Sequence, residues 1–462
     1  MRKTIKTAAA CLLAGMTALT LAACSGSGNP PSVTGEGTTG NVTESSGSGN
    51  AEIETAGSTE KVQLTFSWWG GDERHETTER AIQAFMEKYP HIEIIPEYGA
   101  WSGWEEKQSL NIVGGNSADI MQINWNWIES YSGNGTNFVN LEEYADVLDL
   151  TQFPGASLEL CEADGKLMAV PVALTGRVFY WNKTTFDEIG CEIPTDLDSL
   201  LAAGAAFKAY GEDYYPMDLN QYDRMIFMVY YLESKYNKPW VENNEIQYSD
   251  EEIREGLEFI TSLEDAHVLP TLATVAGDMA DSTDKNSKWI DGYYAGIFEW
   301  DSSANKFRQA LEESVNKPGQ EFVLGEFVKL GDDPGGFTKI SMGLAISSTT
   351  NHPKEAAMFI NFLLNETEGV EISSTTRGIP CSKAAVEILN EKGLGDAMVK
   401  EANEKVLAYC PFPLDSKFEH NDLKANPDGV YFKVFGKLSA GIIDSAEAAK
   451  ELKTGVQECL EN

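Results

Sequence analysis

The stretch VQLTFSWWGG, residues 62–71, alternates apolar and polar side chains and then runs into two tryptophans and two glycines. This pattern predicts a β-strand that ends in a glycine-containing loop. Residues 76–89 carry apolar side chains at helical spacing, and Pro90 ends the predicted helix. A strand followed by a helix is therefore the first folding unit of the chain.

The same alternation continues towards the C-terminus. Further predicted strands are residues 92–95, 118–123, 168–172, 177–181, 293–298 and 340–346. Further predicted helices are residues 101–113, 197–210, 222–236, 250–264, 353–364 and 445–459. Alternating strands and helices favour a parallel or mixed sheet with helices on its faces. The folded part, roughly 400 residues, is too long for one ordinary core. The predicted fold class is α/β with two lobes.

The first 24 residues have the pattern of an export signal. A basic start at residues 2–6 is followed by an uncharged apolar stretch, residues 8–23. That stretch is shorter than the roughly 20 apolar residues of a membrane-spanning helix, so it predicts a secretory signal peptide. It ends in LAAC, residues 21–24, which resembles the bacterial lipobox. We therefore predict a lipoprotein signal peptide at 1–23 and lipidation of Cys24.

Residues 24–60 are dominated by Ser, Gly, Thr, Asn and Glu. Such a segment cannot bury enough apolar surface to fold, and it predicts a flexible tether. Two acyl chains would hold the protein stably on a membrane. A tethered, exported protein fits the extracellular face of a Gram-positive cell membrane, with contact to the membrane through the lipid anchor only.

The formal net charge is −37 at pH 7. Nucleic acid and anionic lipid surfaces would repel such a chain, so neither is an expected partner. Five histidines and scattered cysteines give no pattern of metal ligands. The mature cysteines other than Cys24 are Cys161, Cys191, Cys381, Cys410 and Cys459. This odd number with no CxxC spacing implies no disulfide framework, although one pair could form.

Tryptophans follow three successive predicted strands. They are Trp68 and Trp69, Trp101 and Trp104, and Trp125 and Trp127. In open α/β sheets, ligands bind outside the carboxyl ends of the strands, so these indoles are expected at one edge. Aromatic faces suit the apolar face of a sugar ring, and Asp72, Arg74, Asn124 and Asn126 supply polar partners for its hydroxyls. The alternative is that half of these tryptophans belong to the core.

Several segments resemble the maltose-binding-protein-like, carbohydrate-specific members of the extracellular solute-binding proteins. They are KLMAVPV (166–172), FYWNKTTF (179–186), EIPTDL (192–197), YYAGIFEW (293–300), LAI (344–346), KEAAMFI (354–360) and RGIP (377–380). The segments come in the family's order and cover nearly all of the chain after the tether. The sequence is therefore identified as similar to this family.

The resemblance implies a two-lobed clamp, with a mixed sheet in each lobe and a hinge of crossing segments near 173–175, 336–338 and 407–410. The implied N-terminal lobe is 61–173 with 338–408, and the implied C-terminal lobe is 174–337 with 409–462. Such a clamp closes on an oligosaccharide and delivers it to the membrane subunits of an ABC permease. The family also implies a monomer with no cofactor and no catalytic residue.

The resemblance further implies that both lobes contact the ligand. Implied contacts from the first lobe are Trp68, Trp69, Asp72, Arg74, Trp101, Trp104, Asn124 and Trp125. Implied contacts from the second lobe are Arg177, Tyr180, Asp218, Tyr222, Asp223, Glu299, Trp300, Asp301, Phe412 and Asp415, with Arg377 near the hinge. Glu299 and the Trp68–Trp69 pair depart from the family's usual pattern. Both departures imply a wide site for an oligosaccharide.

Three other functions compete with sugar capture. A glycan-degrading enzyme would need a carboxylate pair, but no pair stands out among 72 acidic residues. His75-Glu76 begins like HExxH, but Glu79 stands where the second histidine is needed. A cationic or peptide solute could bind the carboxylates and tryptophans through ion pairs and cation–π contacts. An adhesin that holds polymer without importing it is the third alternative.

Overall fold

The computed structural model describes residues 61–278, 280 and 282–461. The predicted signal peptide, the lipidation site Cys24 and the tether up to residue 60 lie outside the described residues. Among the helices of the described part, none combines the length and the apolar character that a membrane crossing requires.

The described part of the chain contains alternating strands and helices. The strands are β1 (Val62–Trp69), β2 (Ile92–Gly99), β3 (Ile120–Ile123), β4 (Glu162–Ala163), β5 (Lys166–Leu167), β6 (Val170–Asn182), β7 (Val241–Glu242), β8 (Glu245–Ile246), β9 (Gly296–Trp300), β10 (Phe322–Leu324), β11 (Phe337–Ile346) and β12 (Phe412–Pro413). The helices are α1 (Asp72–Lys88), α2 (Trp104–Val113), α3 (Trp127–Ser132), α4 (Gly155–Glu159), α5 (Lys183–Ile189), α6 (Leu197–Tyr210), α7 (Gln221–Tyr236), α8 (Asp250–Asp265), α9 (Leu272–Gly277), α10 (Ser287–Ile290), α11 (Ala304–Glu312), α12 (Pro353–Asn365), α13 (Thr367–Ser373), α14 (Lys383–Lys392), α15 (Ala397–Tyr409), α16 (Asn421–Lys424), α17 (Val430–Ser439) and α18 (Ser445–Glu461). The predicted α/β class is confirmed.

Several helices begin where their capping residues predict. Asp196 precedes α6, and its side chain accepts a hydrogen bond from the Ser199 backbone N–H at 2.8 Å. Ser249 precedes α8, and its backbone N–H donates to Glu252 at 2.8 Å while its hydroxyl accepts from the Glu252 N–H at 3.2 Å. These reciprocal contacts satisfy N–H groups that the first helical turn leaves without partners. The chain therefore enters both helices at fixed residues.

The main sheet has the strand order β10-β6-β11-β3-β1-β2, with β9 also paired to β6 and β12 to β11. Strand β1 runs parallel to β2 and β3. Strand β11 is antiparallel to β3 and β6, and both β9 and β10 are antiparallel to β6. The sheet is therefore mixed, and β1 delivers its C-terminal end beside those of β2 and β3.

Two hydrophobic clusters lie along this sheet. The first cluster is built from buried residues between 62 and 172 and between 340 and 364. The second cluster is built from residues between 178 and 337 and between 399 and 460. Strand β6 contributes Val172 to the first cluster and Val178 to the second. Strand β11 likewise contributes Ile340 to the first cluster and Phe337 to the second. Both strands therefore join the two cores, close to the crossing segments predicted at 173–175 and 336–338.

Helix α15 differs from the sequence-based expectation. Its buried residues Val399, Ala402 and Val406 pack into the second cluster. The chain has therefore changed core before α15 begins, earlier than the predicted third crossing near 407–410 and within the range 338–408 assigned to the first lobe. The apolar face of α15 packs against β6, which sequence periodicity alone does not reveal. The lobe boundaries themselves remain predictions.

Candidate ligand-binding cleft

Two tryptophans lie together at the C-terminal ends of β1 and β2. The ring centres of Trp69 and Trp101 are 5.0 Å apart, and the Trp69 ring also lies 5.9 Å from that of Trp127. Trp69 is half-buried, whereas Trp101 is 40% exposed. This pair therefore presents an accessible aromatic surface at the sheet edge where ligands bind in open α/β folds.

The neighbouring tryptophans of the prediction lie in the first core. Trp68 is fully buried, stacks on Phe66 at 5.0 Å between ring centres and donates from Nε1 to His75 Nδ1 at 3.1 Å. Trp104 is 4% exposed. Neither indole presents an open face in this conformation. The alternative that some of these tryptophans belong to the core therefore describes both residues.

On the side of the second core, Arg177 of β6 organises a polar group. It is 3% exposed and forms ion pairs with Asp223 at 2.9 Å and with Glu299 at 3.1 Å. Its Cζ atom lies 4.4 Å from the centre of the Trp300 ring and 5.9 Å from that of Tyr222. Burial lowers the pKa of Arg177, but the Glu299 and Asp223 carboxylates raise it more. Arg177 therefore stays charged and fixes both carboxylates beside Trp300.

A buried ion pair between Lys339 and Glu419 lies next to this group. Both side chains are 5% exposed. The Nζ atom of Lys339 lies 4.6 Å from the centre of the Trp300 ring, so Trp300 contacts two cations. Glu419 also accepts hydrogen bonds from the Tyr222 hydroxyl at 2.7 Å and from Trp125 Nε1 at 3.3 Å. Burial raises the pKa of Glu419, but Lys339 and Lys424 lower it further, to about 2.

The segment of residues 416–424 connects residues of the two cores. The backbone carbonyl of Glu419 accepts a hydrogen bond from Asn126 Nδ2 at 2.9 Å. Lys424 forms an ion pair with Glu105 at 3.1 Å and lies 5.3 Å from the centre of the Trp101 ring. Because Phe418 and Leu423 of this segment belong to the second core, these contacts bridge from it to the aromatic pair of the first.

Arginines 74 and 377 lie close to the backbone of Trp69, one member of the aromatic pair. Arg74 donates to the backbone carbonyl of Trp69 at 3.1 Å and to that of Thr376 at 3.0 Å. Arg377, 7% exposed, donates to Gln122 at 2.9 Å and to Thr78 at 2.8 Å. Both guanidiniums therefore lie near the carbonyl end of β1.

Three predicted contact residues, Tyr180, Asp218 and Asp301, make contacts within the protein. Tyr180 is fully buried and donates to the Asp301 carbonyl at 3.1 Å. The Asp301 carboxylate accepts hydrogen bonds from Asn403 of α15 at 2.6 Å and from Thr175 of β6, and these two bonds connect β6 to α15. Burial raises the pKa of Asp301 to about 6. Asp218 is buried and accepts from the Thr283 hydroxyl at 2.9 Å. These side chains hold the second lobe and the crossing strands together.

The remaining predicted residues have varied surroundings. Asp72 is exposed in the first turn of α1. Asn124 is 5% exposed and lies 3.5 Å from Glu419. Phe412 pairs with Phe337 in the sheet, and Asp415 is half-buried and accepts a hydrogen bond from the Lys417 backbone N–H at 2.9 Å. The role of each predicted residue in ligand binding remains a prediction.

The sequence-based prediction did not include Lys339, Glu419 and Lys424. Lys339 carries a signal, because a single lysine interrupts the otherwise uncharged strand FTKISMGLAI (337–346). Glu419 and Lys424 carry none, since they stand in short helical turns among other charged residues. In the described part of the chain, no three His, Cys, Asp or Glu side chains converge as a metal site would require.

The comparison with protein families gives the decisive observation. Residues 80–403 match the sequence model of the family described as bacterial extracellular solute-binding protein. The chain belongs to this family. The family predicted from the sequence is therefore confirmed.

Solved structures resemble this solute-binding protein over almost their entire lengths. A periplasmic oligogalacturonide-binding protein from Yersinia enterocolitica, solved with saturated digalacturonic acid, is 32% identical with a TM-score of 0.81, covering 87% of this chain and 99% of that one. A periplasmic solute-binding protein from Pectobacterium atrosepticum is 30% identical with a TM-score of 0.79 and the same coverage. These similarities confirm the two-lobed α/β clamp.

A more distant structure and the curated relatives complete the comparison. An ABC substrate-binding protein from Listeria monocytogenes, solved with cycloalternan, is 17% identical with a TM-score of 0.69 over 86% of this chain and 99% of that one, which supports the fold alone. Curated binding proteins from Brucella abortus and Brucella suis are 28% identical over 146 residues. This solute-binding protein spans 34% of the length of those relatives.

Proposed function

We propose that this solute-binding protein captures an oligosaccharide between its two lobes and delivers it to the membrane permease of an ABC importer. The observation that carries the proposal is that Glu419 and Lys424 link aromatic and polar groups of the two cores. Lys424 lies 5.3 Å from the centre of the Trp101 ring, and Glu419 pairs with Lys339, which lies 4.6 Å from that of Trp300. Trp69 and Trp101 come from the first core, and Arg177, Trp300 and Glu299 come from the second. Sugar rings bind to sites in which aromatic faces alternate with fixed hydrogen-bond partners.

The ligands of similar proteins support this substrate class. The Yersinia protein binds digalacturonic acid, and the Listeria protein binds cycloalternan. Both ligands are oligosaccharides, which fits the wide site implied by Glu299 and the Trp68–Trp69 pair. Of these two proteins, the Yersinia one, at 32% identity, supports the substrate class, whereas the similarity to the Listeria one, at 17% identity, supports the fold alone.

Capture would proceed by a shift between open and closed clamp conformations. Strands β6 and β11 are continuous between the cores, so they can act as hinges while each core moves as a unit. A ligand that touches both lobes favours the closed state by its differential affinity. The closed clamp then docks on the permease, which takes up the sugar. We assign the protein no catalytic role.

The location of this activity follows from the N-terminal sequence. The proposed lipid on Cys24 and the tether of residues 24–60 would keep a monomeric clamp at the extracellular face of a Gram-positive membrane, within reach of its permease. Export also agrees with the extracellular character of the family.

Isothermal titration against a panel of oligosaccharides and a panel of polyamines tests the proposal. The polyamines represent the rival cargo, because the carboxylates of Asp223, Glu299 and Glu419 could bind a cation. Arg177 pairs with Asp223 and Glu299, and Lys339 pairs with Glu419, so each carboxylate already has a cationic partner, which favours sugar. Heat of binding with oligosaccharides alone supports the proposal. Heat with polyamines alone overturns it.

A further inference from the structure

Two neighbouring arginines, Arg74 and Arg377, form no ion pair with a carboxylate among the described residues. The buried arginines Arg177 and Arg224 each form an ion pair with a carboxylate. Arg377 is also buried, and Arg74 is half-buried, but no described Asp or Glu lies within ion-pair distance of either. A buried charge is costly unless an opposite charge or several hydrogen bonds compensate it. Burial lowers the pKa of Arg74 more than the charge of Glu73 raises it, and Glu73 forms no ion pair with Arg74. Two neighbouring cations without an ion-paired carboxylate therefore need a physical reason.

The hydrogen bonds of this pair leave donors for a ligand. Each guanidinium carries five N–H groups, and each makes two hydrogen bonds to described residues. The acceptors of Arg74 are backbone carbonyls, and those of Arg377 are an amide oxygen and a hydroxyl, so no acceptor is charged. Burial and the neighbouring Arg74 lower the pKa of Arg377 to about 9, so it remains a cation at neutral pH.

The surrounding backbone also favours an anion at this position. Gly71 precedes α1 without a side-chain cap, and a Cβ atom built on Gly71 would meet open space. The first N–H groups of this 17-residue helix therefore add positive partial charge beside Arg74. Ser374 has φ 47°, an unusual value for a residue other than glycine, in the loop that carries Arg377. Strained backbone of this kind is frequent at ligand-binding sites.

The nearby carboxylates do not form ion pairs with the Arg74 and Arg377 guanidiniums. Asp72 and Glu73, in the first turn of α1, are both exposed, and Glu73 accepts a hydrogen bond from Asn305 of α11 at 3.3 Å. Gly70 permits the close packing of Arg74, because a Cβ atom at residue 70 would lie 2.6 Å from Arg74 Cδ. The guanidinium is therefore held against the turn that carries Trp69.

We propose that Arg74, supported by Arg377, binds the carboxylate of an acidic oligosaccharide whose sugar rings contact Trp69 and Trp101. The inference rests on the proposed function and names the class of its substrate. An oligouronide carries one carboxylate on each ring, and guanidinium groups match carboxylates in geometry and charge. The digalacturonic acid in the similar Yersinia protein belongs to this class. An isolated site of positive charge also explains how a chain of net charge −37 accepts an anion.

A titration with matched ligands tests this inference. Digalacturonic acid is compared with its methyl ester, which has the same rings but no charge, and with neutral maltotriose. The wild-type protein is expected to bind the acid at least about tenfold more tightly than the ester, as for a charge-assisted hydrogen bond. Arg74→Gln should abolish this preference, whereas Arg80→Gln, which removes an exposed charge from the same helix, should preserve it.

The affinities for the acid, its methyl ester and maltotriose separate the inference from the proposed function. Equal binding of acid and ester by the wild type, or an unchanged preference in Arg74→Gln, overturns the inference. Binding of maltotriose without the acid overturns the inference but leaves the proposed function standing. Binding of no sugar at all removes both. Arg377→Lys covers the case in which Arg74→Gln does not fold, and it should weaken binding of the acid more than that of the ester.

Discussion

The Cζ atom of Arg177 lies 4.4 Å from the centre of the Trp300 ring, and this contact joins the crossing strand β6 to the end of β9. The two residues also face each other in the register between these strands. Trp300 is therefore held at the junction of the two cores by a residue of the strand that connects them. A ligand that contacts Trp300 would affect both lobes.

Replacing Trp300 with alanine tests the role of this ring. We expect Trp300→Ala to weaken oligosaccharide binding by more than about 1.5 kcal/mol, because the variant loses an aromatic contact with the sugar. Isothermal titration measures this change. Tyr210→Ala, which removes an exposed ring on α6, should leave affinity unchanged. Equal affinities of the Trp300 variant and the wild type would remove Trp300 from the site.

Breaking the buried ion pair between Lys339 and Glu419 should lower the stability of the protein strongly. Glu419→Gln leaves the buried Lys339 ammonium without its counter-charge, which should lower the free energy of unfolding by about 3–5 kcal/mol. Urea denaturation measures this value. Replacing Lys339 with Met in the same protein should recover part of the loss. Asp146→Asn, which breaks the exposed pair with Lys354, is the control and should change stability little. A small effect of Glu419→Gln would contradict the buried pair.

The buried carboxyl group of Glu233 should make the stability of the folded protein fall as pH rises. It is 1% exposed, accepts a hydrogen bond from the Gly336 N–H at 2.9 Å beside the start of β11, and burial raises its pKa to about 8. The folded protein therefore holds a proton that the unfolded chain releases near pH 4.5. This group should thus lower stability by about 2–4 kcal/mol as pH rises from 4.5 to 8.

Glu233→Gln isolates this effect, because glutamine keeps the shape but cannot ionise. Melting temperatures between pH 5 and pH 9 should fall less in this variant than in the wild type. Glu251→Gln, on the exposed surface of α8, should follow the wild type. Parallel curves for Glu233→Gln and the wild type would show that Glu233 titrates normally.

Replacing Cys24 with serine should preserve ligand binding but reduce transport. Cys24→Ser should prevent lipidation, so the protein should appear in the medium of a Gram-positive host and still bind its ligand in titration. Uptake of labelled oligosaccharide should fall, because the clamp no longer stays near the permease. Undiminished uptake with the released protein would break the link between anchor and transport.

Sequence patterns predicted seven of the eighteen α-helices and six of the twelve strands in the described part of the chain, because hydrophobic periodicity marks many of the longer elements. Helix α6 has the predicted bounds, and β1 begins at Val62 as expected. Strand β6 was predicted as two runs, because Thr175 and Gly176 resemble a turn. In the structure Gly176 lies inside the strand, where a Cβ atom would be 2.6 Å from Val406 and 2.7 Å from the Phe337 carbonyl. This close approach depends on tertiary packing, which local sequence does not specify.

The site was predicted in part. Val62, Leu64, Phe66 and Trp68 alternate along β1, so their side chains share one face, and that face packs into the core. Trp69 points to the other face and remains accessible. The same alternation could have separated these two tryptophans at the sequence level. Glu419 could not be found in this way, because Lys339 and Asn124 are 80 and 295 residues away along the chain.

A crystal structure of the protein with a bound oligosaccharide would show whether the sugar is captured between the lobes. The sugar should lie between the two cores, with contacts to Trp69 or Trp101 on one side and to Trp300 on the other. A sugar bound elsewhere, or in contact with one core only, would contradict capture between the lobes.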